Sequence, residues 1–314
     1  MKQVGYAVSI PAESENKLSL PEKLESGEFV ITAEITPPLS TDVQDLLSRA
    51  MPLKGLADAV NVTDGASARA HLDALVAASI LQRNGIEPIL QVTCRDRNRI
   101  ALQSELLGAA ALGISNLLIL TGDDPKAGDQ PDTKPVFDLD STELTRMVAR
   151  MRDRAELPSG RKIAGPISFF LGVADAPVEP KQGWVPSGLL KKIEAGAQYA
   201  QTQFCMDADL LRRYLARLRE CGVPENFRFL IGVAPLASAK SARWIKEKLF
   251  GSTIPDWVID RLDRASDPRA EGKAICVDVL RQLAEIKGVA GAHIMAPLNE
   301  AAIPETITAF RAAC

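Results

Sequence analysis

Residues 29–38 read FVITAEITPP, a run of apolar and β-branched residues closed by two prolines, which is the composition of a buried strand. Glu34 stands near its end, where an unpaired carboxylate is costly to bury. The same pattern recurs along the chain. DAVNVTDG, EPILQVTC, NLLILTGD, PISFFLGVA, YAQTQFCMD, RFLIGVAP and GAHIMAPL are strand-like, and segments of helical period such as ARAHLDALVAASILQRNG, ALQSELLGAAALG, GLLKKIEAGA and ADLLRRYLARLRECG lie between them. Several of these helix candidates end in glycine, a common stop. Eight strands alternating with eight helices predict a (β/α)8 TIM barrel over residues 26–314, after an irregular leader over residues 1–25. The rival doubly wound sheet loses ground because no G-x-G-x-x-G follows the first strand. Two stretches exceed a barrel's needs and read as functional loops: DDPKAGDQPDTKPVFDLDS after the fourth strand and GSTIPDWVIDRLDRASDPRAEG before the last unit.

Composition narrows the function classes. The 314 residues are 46% hydrophobic and 25% charged, enough for a sizeable core. A net charge of -3 leaves no electrostatic footprint for nucleic acid or an anionic membrane, and 5% aromatics argues against base stacking. No apolar run reaches the roughly 18 residues of a membrane span. The opening MKQVGYAVSIPAESENK has no apolar core of a signal peptide, and five scattered cysteines without a C-x-x-C suit reduced thiols, so a cytoplasmic protein is expected. His71 and His293 are the two histidines, which argues against a histidine metal site or a Ser-His-Asp triad.

In such barrels the chemistry sits at the C-terminal ends of the strands. The polar residues there are Glu34, Thr63, Asp64, Gln91, Thr93, Asp123, Asp124, Asp175, Gln203 and Asn299. They predict one cavity of carboxylates and amides, suited to proton transfer beside an organic cofactor, without a metal. Thr63, Asp124 and Asn299 would serve equally well as caps of the strand ends. Glu34 is harder to read that way, because glutamate is a poor strand and turn former; a carboxyl whose pKa is raised by burial is how a fold makes a general acid. TCRDRNR (Thr93 to Arg99) opens a helix with three arginines. Either Asp96 caps a solvated helix start, or a phosphate or carboxylate ligand offsets the charge. Lys191 and Lys192 carry the same two readings. Trp184 and Trp257, in loop-like stretches, read as anchors or ligand-stacking residues.

Taken in order, the strand tips resemble the methylenetetrahydrofolate reductase family. The pieces are Glu34 with Pro37 and Pro38, NVTDGA, VTCRD, LTGDDP, EAGAQYAQTQFCMD, GVAPL, IPDW and PLN. The resemblance implies a flavin-dependent barrel that reduces 5,10-methylenetetrahydrofolate to 5-methyltetrahydrofolate, or the reverse, in one-carbon metabolism and methionine biosynthesis. It implies Glu34 as the general acid protonating N10, Asp123 as a second catalytic carboxylate holding the pterin, and Gln203 and Asn299 as substrate contacts. Thr63, Ala66, Gly122, Lys191 and Lys192 fall at flavin positions, and Asp64, Gln91, Thr93, Arg95 and Asp123 complete the implied cofactor wall. FAD is the implied cofactor, with FMN or no bound flavin as variants and NADH or NADPH as electron donor. A homo-oligomer or a partner reductase subunit is also implied.

Departures from the family pattern are specific. Gln91 replaces a histidine, Thr121 an arginine, FFLGVAD (Phe169 to Asp175) an aromatic and a histidine, and Glu300 a folate-binding arginine. TCRDRNR, unlike the best-known members, resembles a divergent bacterial branch in which flavin type and electron donor vary. The departures keep alive an alternative: a flavin-poor, partner-dependent folate barrel acting as a subunit or a one-carbon transfer protein.

Overall fold

The computed structural model describes residues 18–297 and 299–313. Residues 1–17 of the expected leader lie outside the described residues. The rest of that leader is not irregular: α1 spans Leu20–Ser26. Its start is stabilised by Glu22, whose carboxylate accepts the Ser19 N–H at 2.7 Å, and Gly27 ends it in a left-handed conformation (φ 83°). Leu20 and Leu24, one helical turn apart, are both buried.

The strands are β1 Val30–Ile35, β2 Ala59–Val62, β3 Pro88–Thr93, β4 Asn116–Leu120, β5 Phe170–Asp175, β6 Tyr199–Phe204, β7 Arg228–Val233 and β8 Val289–Ile294. All pair in parallel in chain order, and β8 returns to β1, so the sheet is a closed eight-stranded barrel. Around it run α2 Val43–Ala50, α3 Ala74–Arg83, α4 Arg99–Ala111, α5 Ser141–Arg154, α6 Ser187–Glu194, α7 Ala208–Glu220, α8 Ala239–Lys248, α9 Asp256–Arg264, α10 Pro268–Ala284 and α11 Ala302–Arg311. The expected (β/α)8 barrel is the observed fold, with more helices than the eight anticipated.

Three local differences have clear causes. The third helix begins at Ala74 and not at residue 68, because Asp73 caps it through Val76 N while Ser67 and Ala68 take positive φ (57° and 53°). GSTIPDWVIDRLDRASDPRAEG is largely helical. Val258, Ile259 and Leu262 make a buried face for α9, and Asp267 caps α10 with Pro268 at its first position. Trp257 therefore belongs to a helix and lies beneath the Arg261 guanidinium. The stretch after β4 stays irregular apart from a short turn at Pro125–Ala127.

The barrel interior is graded along the strands. At its lower end Val30, Ala59, Ile89, Leu118, Tyr199 and Leu230 form one apolar cluster, closed from below by Leu20 and Leu24 of α1. Tyr199 stacks on Phe170 at 4.7 Å and donates its hydroxyl to Leu117 O at 3.1 Å. Gly172 makes room for that ring, since a Cβ there would lie 2.3 Å from it. Two residues further along, the interior turns polar. Asn61 and Gln201 exchange amide hydrogen bonds across the barrel (2.6 and 3.1 Å), and Gln201 Nε2 also donates to Thr32 Oγ1 at 3.3 Å. One more step of two brings Glu34, Thr63, Thr93 and Gln203 to the mouth, following the side-chain alternation of a strand.

Candidate active site at the barrel mouth

Glu34 lies at the tip of β1 with its side chain 23% exposed. Gln91 Nε2 donates to Glu34 Oε2 at 2.9 Å, and Nε2 of the buried His293 approaches the same oxygen at 3.5 Å. Oε1 has no partner among the described residues. Glu300 stands nearby: its carboxylate accepts the Thr36 N–H at 3.2 Å and faces Arg49 at 3.7 Å. Burial raises the Glu300 pKa and the neighbouring Glu34 adds to the rise, while the Thr36 N–H and Arg49 oppose it. Glu300 thus puts a second carboxyl near Glu34.

The loops after β2, β3 and β4 form one braced wall. Asp64 accepts from Thr93 N (2.8 Å) and Thr93 Oγ1 (2.9 Å) and pairs with Arg97. Arg97 also pairs with Glu105 of α4. One guanidinium thus serves two carboxylates, and burial pushes the Glu105 carboxyl up to about 7. Arg95, itself buried, forks onto Asp96 (2.8 and 2.7 Å) and donates to Gly65 O at 3.1 Å. Arg99 forks onto Asp138 (2.7 and 2.8 Å). Asp123 reaches across to accept the Ser67 N–H at 2.9 Å, next to Ala66. Gly122, at φ 94°, packs where a Cβ would meet Arg95 Cβ at 2.9 Å.

This geometry corrects the reading of TCRDRNR. The helix starts at Arg99, its cap is Asn98 (accepting from Ile100 N and Ala101 N) and not Asp96, and the anions that offset the arginines are the chain's own carboxylates. Arg95 and Asp64, expected as cofactor contacts, are engaged in shaping the loops.

The opposite side of the mouth is built differently. β5 brings small residues, Gly172 and Ala174, while Phe169 and Phe170 pack lower in the fold. Asp175 ends β5 and accepts from Tyr214 Oη at 2.8 Å; burial raises its pKa. Lys192 of α6 donates to Ala174 O at 2.6 Å, and burial lowers its pKa against the opposing charge of Asp175. Lys191 beside it is exposed. Gln203 is half-buried, its Oε1 accepting the Phe204 N–H at 3.0 Å. Asn299 ties the loops after β7 and β8 by donating to Pro235 O at 3.1 Å, and Asp124 caps a turn through Lys126 N. Trp184 anchors a loop, tilted on Tyr214 at 5.6 Å, with its carbonyl accepting from Arg217.

Of the residues anticipated, Glu34 meets Gln91 directly, Asp64 meets Thr93, and Asp123 meets the Ala66–Ala68 turn. His293, Thr32, Asn61 and Gln201 were not anticipated as part of the site, and Glu300 was noted only as standing where the resemblance implies an arginine. A signal for three of them was present: Thr32–Glu34, Asn61–Thr63 and Gln201–Gln203 are polar pairs two apart in otherwise apolar strands, and so share a face.

Fold and site together define a barrel with a partly exposed carboxyl at the tip of β1 and a polar mouth. The model of the methylenetetrahydrofolate reductase family matches residues 19–310. The chain belongs to that family, whose members are oxidoreductases acting on CH–NH donors. It is 26% identical over 297 residues to a 5,10-methylenetetrahydrofolate reductase of Pectobacterium carotovorum subsp. carotovorum, covering 90% of this chain and 89% of that protein. It is 25% identical over 236 residues to a probable methylenetetrahydrofolate reductase (NADPH) of Caenorhabditis elegans, covering 74% of this chain but 33% of that longer protein. Among solved structures, an uncharacterized protein of Clostridium thermocellum that binds two copies of 5-methyl-5,6,7,8-tetrahydrofolic acid superposes with a TM-score of 0.67 at 14% identity, covering 94% of this chain and all of that one.

Proposed function

We propose that this chain interconverts 5,10-methylenetetrahydrofolate and 5-methyltetrahydrofolate, with Glu34 as the general acid. The observation that carries this reading is the setting of Glu34: half-buried at the barrel mouth, held through Oε2, with Oε1 left for a ligand. In the reductive direction Glu34 gives its proton to N10 of the substrate, which opens the five-membered ring and leaves an iminium cation at N5. A bound reduced flavin supplies the hydride that this cation accepts. Asp123 stabilises the cation and holds the pterin, while Gln203 and Asn299 orient the substrate. The folate ligand of the Clostridium thermocellum neighbour is in keeping with this substrate class.

FAD is the cofactor this reading favours, with NADH or NADPH as donor. The residues partly fit it. Thr63 Oγ1 is buried at the tip of β2 with no hydrogen-bond partner among the described residues, and a ligand polar group would satisfy it. Ala66, Gly122, Gln91 and Thr93 line the same wall, and Lys191 and Lys192 offer charge for phosphates. The small residues of β5 leave the flavin ring without an aromatic support on that side, so FAD would be gripped from the β2–β4 wall.

The test is anaerobic oxidation of methyltetrahydrofolate with an artificial electron acceptor, in wild type and Glu34→Gln, with and without added FAD or FMN. Loss of turnover in Glu34→Gln with flavin binding retained is the expected result. Full activity in that variant would overturn the assignment of the acid. No turnover by wild type with any flavin would instead favour a partner-dependent mechanism.

A further inference from the structure

We infer that Ser67 is the positioning residue of Asp123, acting through its backbone N–H, and that the left-handed pair Ser67–Ala68 is kept to aim that N–H. The inference rests on the reading above only in giving Asp123 a part in turnover; the contact and the turn stand by themselves.

Separate observations converge on this turn. Ser67 and Ala68 are consecutive residues with a Cβ at φ 57° and 53°, a conformation that glycine adopts freely and L side chains resist. The Ser67 N–H donates to Asp123 Oδ2 at 2.9 Å, and Asp123 Oδ1 has no partner among the described residues. Gly128, on the loop that Asp123 opens, packs so tightly on the turn that a Cβ there would lie 2.1 Å from Ala68 O. The buried Arg95 guanidinium donates to Gly65 O at 3.1 Å and to Asp123 O at 3.4 Å, and so ties the loops after β2 and β4 together. His71 Nε2 stands 3.2 Å from Ala66 O.

A strained turn persists only where its surroundings over-determine it, and such turns gather at functional sites. Gly65 already supplies one left-handed residue at φ 60°. Two more glycines would have removed the strain and let the turn take many shapes. A Cβ on each of Ser67 and Ala68 narrows the choice, and docking on Gly128 and Arg95 selects the shape that points the Ser67 N–H at Asp123. Packing does not account for Ser67: it is exposed, and its hydroxyl makes no hydrogen bond among the described residues. What it contributes is its N–H. Asp123 is exposed as well, so without that donor its carboxylate would sample several rotamers. The arrangement repeats the one at Glu34, a carboxylate held through one oxygen and open at the other. Fixing it in advance spares the ordering cost when the cationic intermediate forms.

The test uses the full-length chain. Hydrogen exchange at the Ser67 amide, followed by NMR, needs neither folate nor flavin. It should be slow in wild type and about tenfold faster in Asp123→Ala. Ser67→Gly and Ala68→Gly keep the N–H and release the strain. Each should raise the unfolding midpoint yet lower kcat for methyltetrahydrofolate oxidation about three- to tenfold, with KM moving less. A turn with a purely structural role would gain stability without losing turnover. The same glycine changes made in Asp123→Ala should leave its residual turnover unaltered, because the group through which they act is gone. Ala68→Asn, which tolerates the left-handed region, should retain wild-type turnover. Equal Ser67 exchange in wild type and Asp123→Ala, a lowered midpoint in both glycine variants, unchanged kcat in both, or glycine effects that persist in Asp123→Ala would each overturn the inference. Absence of turnover by wild type with any flavin would sink the reductase reading alone, and the exchange and unfolding arms would still decide whether the strained turn holds Asp123.

Discussion

The two ends of the barrel interior are lined by the same strands and obey opposite chemistry. β1 passes from Val30 to Thr32 to Glu34, β2 from Ala59 to Asn61 to Thr63, and β6 from Tyr199 to Gln201 to Gln203. Below, apolar side chains interlock and α1 shuts out water; above, each step of two adds a polar group. The lower half gains by excluding water. The middle layer is affordable only because its amides, hydroxyl and imidazole satisfy one another. The mouth leaves individual groups unsatisfied, and those are the ones available to a ligand. Stability and reactivity are thus separated along the strand axis, and a change on one side should leave the other untouched.

The sharpest break in that separation is Glu34→Gln, expected to lower turnover of the folate half-reaction by about 10²–10⁴-fold with unchanged thermal unfolding. A comparable loss of melting temperature would show that the mouth also supports the fold. Leu24→Ala, at the opposite end, should cost about 2–5 kcal/mol in denaturant unfolding and leave KM for the folate unchanged. Should KM rise, the plug and the mouth would be coupled.

Glu105→Gln probes the braced wall between them. The Glu105 carboxyl binds its proton more readily folded than unfolded, its pKa having risen from 4.5 to about 7 through burial. It therefore makes the protein lose stability as pH climbs through that window, by on the order of 1–3 kcal/mol, and the substitution should flatten that slope. Melting curves between these two pH values check the sign; a slope that persists in the variant would assign it to another group, and no slope in wild type would mean that Arg97 fully offsets the burial. The smallest effect is expected at Thr63→Val, which should weaken flavin binding about tenfold in a fluorescence titration and leave stability within about 1 kcal/mol.

Much of the barrel was legible in the sequence. Alternating strand-like and helical segments, glycine stops and the Pro37–Pro38 break follow local rules, and local rules survive without knowledge of neighbours. Glu34 was legible because a glutamate contradicts the strand around it. The internal partners of two arginines of TCRDRNR were not legible because they are distant: Arg97 pairs with Asp64, 33 residues away, and Arg99 with Asp138, 39 residues away. Nothing local announces such pairs. α1 was missed because seven residues form a helix only when the barrel floor receives Leu20 and Leu24.

The sequence by itself determined the periodicity, hence the strands, the helices and their order around the barrel, because side-chain direction is fixed by position within an element. It also marked Glu34 as out of place. Only the tertiary structure decided what that carboxylate meets. Closing the sheet brings β1, β3 and β8 to one rim, where Glu34 finds Gln91, 57 residues away, and His293, from the last strand. The pairing of buried polar groups depends on distances of a few ångströms, and those exist only once the barrel has closed.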